Sequence, residues 1–144
     1  MKTQTYQSAK IDIINSMAKI LVIDDDVHTT WLIDSVFSKE GYQVFSVNIS
    51  ANALSEALQV KPDIILLDLM MPDVDGIETC KILLANNELK DTPILVFSAV
   101  GEVERKVEAF NAGARDFITK PVHIDELKSR IRAWTNHREG LWKP

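Results

Sequence analysis

Apolar residues along this chain fall into short unbroken runs separated by longer stretches with helical spacing. The runs are Ile20-Leu21-Val22-Ile23, Ile64-Ile65-Leu66-Leu67 and Ile94-Leu95-Val96-Phe97. A run without polar alternation suits a strand covered on both faces. Tyr42 to Val47 and the short Phe117-Ile118 read as two further strands. The intervening stretches read as helices. Leu32, Ile33, Val36 and Phe37 share one face of the first, which Gly41 stops. Ala51 to Val60 forms the second, with Leu54, Ala57 and Leu58 inward. Ile77 to Leu84 forms the third, with Ile77, Cys80, Leu83 and Leu84 apolar. Val103, Val107 and Phe110 mark a fourth, closed by Gly113, and Ile124 to His137 a fifth, with Leu127, Ile131 and Trp134 on one face. Strict alternation of strand and helix implies an α/β fold: parallel βαβ units, right-handed crossovers and helices on both faces of one sheet.

Composition narrows the picture only a little. The 144 residues suffice for one domain with a real core, and the 46% hydrophobic and 26% charged content is ordinary for a globular protein. The net charge of -5 gives no support for direct nucleic-acid binding, which needs basic patches. Cys80 is the sole cysteine, which excludes an internal disulfide and a cysteine metal cage. No apolar run reaches the length of a membrane span and the start lacks a signal peptide's apolar core, so a cytoplasmic location is expected. Residues 1–17 read as an N-terminal extension, in which Ile11, Ile13 and Ile14 suit a short helical face no better than a frayed segment. Met17 is an alternative start. Residues 18–138 make the domain and 139–144 a tail.

The strand ends carry the chemistry. In a parallel sheet all strands finish on one edge, where open α/β sheets hold their sites. Asp24, Asp25 and Asp26 follow the first strand, Asp68 the third, Ser98 the fourth and Lys120 the fifth. Two carboxylates about 4 Å apart repel by roughly 4 kcal/mol at an effective dielectric near 20. Such a cluster therefore seeks a cation or a proton. All-oxygen ligands suit Mg²⁺, a lysine adds a point charge for an anion, and a serine adds a neutral donor. An acidic pocket so equipped suits a carboxylate that receives a phosphoryl group, with Asp68 as nucleophile.

In these features the chain resembles the receiver domain of two-component response regulators. The resemblance runs from about Ala18 to His137. It rests on four motifs in order: Ile20-Leu21-Val22-Ile23-Asp24-Asp25-Asp26; Leu66-Leu67-Asp68-Leu69-Met70-Met71-Pro72-Asp73-Val74-Asp75-Gly76; Val96-Phe97-Ser98-Ala99; and Phe117-Ile118-Thr119-Lys120-Pro121. It implies a flavodoxin-like, doubly wound, five-stranded parallel sheet in the order 2-1-3-4-5. It implies Asp68 as phosphoacceptor. Asp24, Asp25, Asp68 and the backbone carbonyl of Met70 would be the Mg²⁺ ligands. Ser98 would be the switch hydroxyl, Lys120 the phosphate-contacting lysine with a cis bond to Pro121, and Phe117 the aromatic that moves inward with Ser98. The implied partners are a sensor histidine kinase or a histidine phosphotransfer protein. The output surface would be the face of the fourth helix, fifth strand and fifth helix, through which the chain binds a protein or forms a homodimer.

Blander readings stand beside these. Asp26 suits a helix cap better than a metal ligand, and Asp73 and Asp75 suit turn and cap. His28 reads as an exposed first-turn histidine, His123 and His137 as solvated, and Cys80 as a small core residue. Trp31 falls at or beyond the margin of the first helix's inner face. It reads equally well as a contact for the phosphodonor or as a ring lying flat on its own domain. The alternating charges of Glu126-Leu127-Lys128-Ser129-Arg130-Ile131-Arg132 suit either ion pairing across a dimer or a solvated face. Two other functions compete with the phosphoryl switch. Asp24-x-Asp26 superficially resembles the start of haloacid-dehalogenase-type phosphatases, and a receiver-like fold could serve only as a binding module. The sequence itself has no output domain, so the domain either acts alone or belongs to a longer protein.

Overall fold

The structure, a computed structural model, describes residues 18–99 and 101–138. The extension with Ile11, Ile13, Ile14 and Met17, the side chain of His137 and the tail with Trp142 lie outside the described residues.

Five parallel strands form the sheet: β1 Lys19–Ile23, β2 Gln43–Val47, β3 Ile64–Asp68, β4 Ile94–Ser98 and β5 Asp116–Thr119. Their order is β2-β1-β3-β4-β5, as the resemblance implies. The helices are α1 Val27–Lys39, α2 Ala53–Val60, α3 Gly76–Ala85, α4 Val103–Asn111 and α5 Ile124–Arg138. Successive strand residues point to opposite faces, so each apolar run serves two cores. Leu21, Ile23, Ile65, Leu67, Ile94 and Val96 lie in the core shared with α2, α3 and α4. Ile20, Val22, Ile64, Leu66, Leu95 and Phe97 lie in the opposite core, with Ile33 and Phe37 of α1 and Leu127 and Ile131 of α5. Burial on both faces is why these strands read as continuous apolar runs.

The helices show where periodicity misleads. Leu32, expected inward, is exposed, and the inner row of α1 is Thr30, Ile33 and Phe37. Asp26 fixes this phase by accepting the His28 N–H at 2.9 Å, so the helix begins at Val27. The expected helix from Ala51 is instead a 3₁₀ turn, Ser50–Asn52, leading into α2. Ala53, Ala57 and Val60 are its buried residues, while Leu54 and Leu58 are half-buried at the margin. In α4 only Ala109 is buried; Val103, Val107 and Phe110 all face solvent. The charges of α5 pair within the chain: Lys128 and Arg132 with Glu40, and Arg130 with Asp116 and Glu126. The dimer reading of that charge pattern therefore loses its basis, because the partners are intramolecular.

Candidate functional site

The C-terminal strand edge brings Asp24, Asp25, Asp68 and Lys120 together. Asp24 follows β1, and its backbone is held by its own N–H to the Val47 carbonyl (3.0 Å) and by Asn48 Nδ2 to its carbonyl (2.8 Å). Its Oδ1 accepts the Asp26 N–H at 2.9 Å. Asp68 ends β3, and its Oδ1 accepts the Met70 N–H at 3.0 Å. Asp24 and Asp68 are buried, whereas Asp25 is exposed. Each offers a carboxylate oxygen, and these oxygens lie within 4.8 Å of one another. Lys120 reaches in from the residue after β5. Its Nζ donates to Asp68 Oδ2 at 3.1 Å and to Asp24 Oδ2 at 3.3 Å. Its bond to Pro121 is cis, as expected.

Burial drives the electrostatics. It pushes the Asp24 carboxyl up to about 6, and the charge of Asp68 adds to the rise, although the Asp26 N–H and Lys120 both pull it down. Burial also works against the charged form of Lys120, but the two carboxylates prevail and hold its pKa above the ordinary lysine value. Ser98 ends β4, fixed by the Lys120 N–H to its carbonyl at 2.7 Å. Its hydroxyl is buried and has no hydrogen-bond partner, an uncommon state for a buried donor. Phe117 is half-buried. Its ring forms a T-shaped pair with that of Phe110 at 5.7 Å between centroids, and Lys106 Nζ stands 4.4 Å over its centre.

The donor set fits a hard divalent cation. It is all oxygen and partly open to solvent through Asp25, and one member has difficulty holding its charge. A cleft of about 650 Å³ opens beside it over Asp25, Met70, Asp75, Glu102 and Arg105. Asp73 and Asp75 are turn and cap residues, the latter accepting the Ile77 N–H at 2.8 Å. His28 and His123 are exposed, and Cys80 is buried with its thiol pushed up to about 11 by burial alone. Trp31 is 68% exposed, so it stands away from its own domain rather than flat upon it. Sequence reasoning missed Arg105 and Lys106. Neither lies at a strand end, and their partners Asp75 and Phe117 are distant along the chain.

Comparison with known proteins identifies the family. The family model of the response regulator receiver domain matches residues 20–132. The chain is a receiver domain of two-component response regulators. This receiver is 37% identical over 117 residues to the DNA-binding dual master transcriptional regulator RpaA of Synechocystis sp., covering 81% of this chain and 48% of that protein. It is 38% identical over 115 residues to the transcriptional regulatory protein ResD of Bacillus subtilis, covering 80% and 47%. It thus spans about half the length of these relatives. Among solved structures it resembles the receiver domain of the Francisella response regulator 1452, with a TM-score of 0.76, 34% identity and coverage of 84% and 98%. It also resembles the chemotaxis protein CheY4 of Vibrio cholerae, with a TM-score of 0.77, 28% identity and coverage of 81% and 98%. The receiver is a signalling domain, and its acidic cluster is consistent with a phosphoacceptor site of the kind at which receivers bind Mg²⁺. Response regulators partner with sensor histidine kinases. Among the described residues no helix is long and apolar enough to cross a membrane.

Proposed function

We propose that Asp68 accepts a phosphoryl group from the phosphohistidine of a sensor kinase or a histidine phosphotransfer protein. One observation supports this most directly: the Lys120 ammonium bridges Asp68 and Asp24 beside three carboxylates on one strand edge. A carboxylate oxygen of Asp68 attacks phosphorus, the O–P bond forms as the P–N bond breaks, and the imidazole departs. Asp24, Asp25, Asp68 and the Met70 carbonyl would hold Mg²⁺. Bound there, the ion would supply positive charge against phosphoryl oxygens that three carboxylates would otherwise repel. Lys120 orients a phosphoryl oxygen from the opposite side, and the Ser98 hydroxyl, unpartnered at rest, donates to another. Phe117 then moves inward from its contacts with Phe110 and Lys106, altering the face of α4, β5 and α5.

On this reading residues 18–138 are the functional unit, flanked by 1–17 and 139–144. It acts as a cytoplasmic switch rather than a turnover enzyme, and it is read by a protein partner or a second copy, not by nucleic acid directly. Asp24 is poorly suited to the phosphatase alternative. Its side chain is fully buried, whereas that of Asp68 keeps 6% of its surface exposed. The test is incubation with a small phosphodonor and Mg²⁺ followed by intact mass and peptide mapping. One phosphoryl adduct on Asp68, absent from Asp68→Asn, is expected. An adduct on Asp24, none on wild type, or an equal adduct on the variant overturns the reading.

A further inference from the structure

Arg105, near the start of α4, reaches across the cleft to the loop that follows Asp68. Its Nη1 donates to Asp75 Oδ2 and its Nη2 to Asp75 Oδ1, both at 3.0 Å. Nη2 also donates to the Leu69 carbonyl at 3.1 Å. That carbonyl accepts the Gly76 N–H at 3.1 Å as well, and Asp75 caps α3. One guanidinium thus joins the residue after the acceptor, the cap of α3 and the first turn of α4. A fork-on-fork pair of this kind is directional as well as charged. The Arg105 hydrogen bonds hold the Asp75 carboxyl below the usual range.

The cap of α4 is tied back to Ala99, the residue after Ser98. The Ala99 N–H donates to the Glu102 carboxylate at 3.3 Å, and the Glu102 N–H returns to the Ala99 carbonyl at 3.4 Å. Arg105 therefore restrains the segment that carries the switch hydroxyl. Its Nη1 and Nη2 bonds to Asp75 and Leu69 are made, with Nε left unpartnered, in the arrangement that also leaves Ser98 Oγ buried and unpartnered. To reach a phosphoryl oxygen on Asp68, Ser98 must draw its loop and the first turn of α4 with it. A bidentate contact tolerates little such displacement.

We propose that the pairing of Arg105 with Asp75 and Leu69 is a latch on the resting arrangement, and that Arg105 is a positioning residue setting how much of the phosphorylated conformation the receiver populates. The latch rests on the reading of Asp68 as phosphoacceptor. A ligand that needs a minor conformation binds more weakly by the fraction populated, so opening the latch must tighten its binding.

Beryllofluoride, titrated by calorimetry at saturating Mg²⁺, is the probe of the phosphorylated conformation. Arg105→Gln lowers its dissociation constant by roughly threefold to fivefold, the upper part of the range one partly exposed pair can supply. Asp75→Asn keeps a capping oxygen but loses the charge, and it shifts the constant in the same direction. The double variant binds no more tightly than the tighter single one, because both remove one contact. Arg105→Lys, with a cation but no fork, falls between wild type and Arg105→Gln. A purely structural role would lower the melting temperature of Arg105→Gln and leave its affinity within twofold of wild type or weaker. Either affinity result overturns the latch. If wild type fails to bind, or Asp68→Asn binds equally well, the phosphoacceptor reading fails and the latch falls with it.

Discussion

Asp24 is the residue on which the electrostatics of the edge can be measured. Folding raises its pKa from 3.8 to about 6, chiefly by burial. Between those values the folded protein keeps a proton that the unfolded chain has released. Stability from this group is therefore complete below about pH 4 and is lost as pH rises through about 6, by at most roughly 3 kcal/mol. Asp24→Asn retains an oxygen for the Asp26 N–H but has no charge to bury. Measured by urea denaturation without divalent ions, its stability relative to wild type improves by about 1–3 kcal/mol between about pH 4 and pH 7.5. Added Mg²⁺ narrows the difference at the higher pH by stabilising only the protein that keeps all three carboxylates. A difference independent of pH would show that the proton sits elsewhere. The carboxylates, Ser98 and Lys120 were legible in the sequence because each stands at or within two residues of the end of an apolar run. The direction of the Asp24 shift was not, since burial at a strand end depends on what covers it.

The turn between β3 and α3 fixes Asp68, and Gly76 is its tightest point. A Cβ there would run into the Leu69 Cα and would lie 2.8 Å from the Leu69 carbonyl oxygen and 2.9 Å from that of Asp68. These are backbone atoms that cannot rotate away. Gly76→Ala is expected to cost about 2–4 kcal/mol and to lower the denaturation midpoint at unchanged slope. A loss below about 0.5 kcal/mol would mean that the loop yields freely. The other elements divide by the locality of their signals. Strands buried on both faces announce themselves, and so do caps such as Asp26 and Asp75. Leu32 and the start of α2 misled because apolar spacing alone does not set helix phase. A capping side chain set it in α1, and small residues facing the sheet set it in α2. Arg105 had no signal at all. It lies 30 residues beyond Asp75, and only the sheet order brings them together.

Across the whole molecule, the face of α4, β5 and α5 joins an apolar row to a ring of charges already engaged within the chain. Val103, Val107 and Phe110 are 66%, 54% and 42% exposed. Arg130 donates to Asp116 at 2.6 and 2.8 Å, and Trp134 Nε1 donates to the same carboxylate at 3.2 Å. Exposed apolar residues grouped on one helix mark a contact surface, whereas charges with local partners gain little from a new one. If a second copy is the partner, association should rest on the α4 row rather than on the α5 ion pairs. On the proposed function, movement of Phe117 away from Phe110 and Lys106 would couple that row to Asp68. Sedimentation velocity with Mg²⁺ and beryllofluoride is therefore expected to show a faster species than the free protein. Raising the salt should weaken it little, because screening acts on exposed charges and not on apolar area. Val107→Asp should abolish the faster species without changing beryllofluoride affinity by more than about twofold, since Val107 lies outside the site. Equal sedimentation with and without the mimic rules out a dimeric output. A dimer dispersed by salt would return the role to the charges of α5.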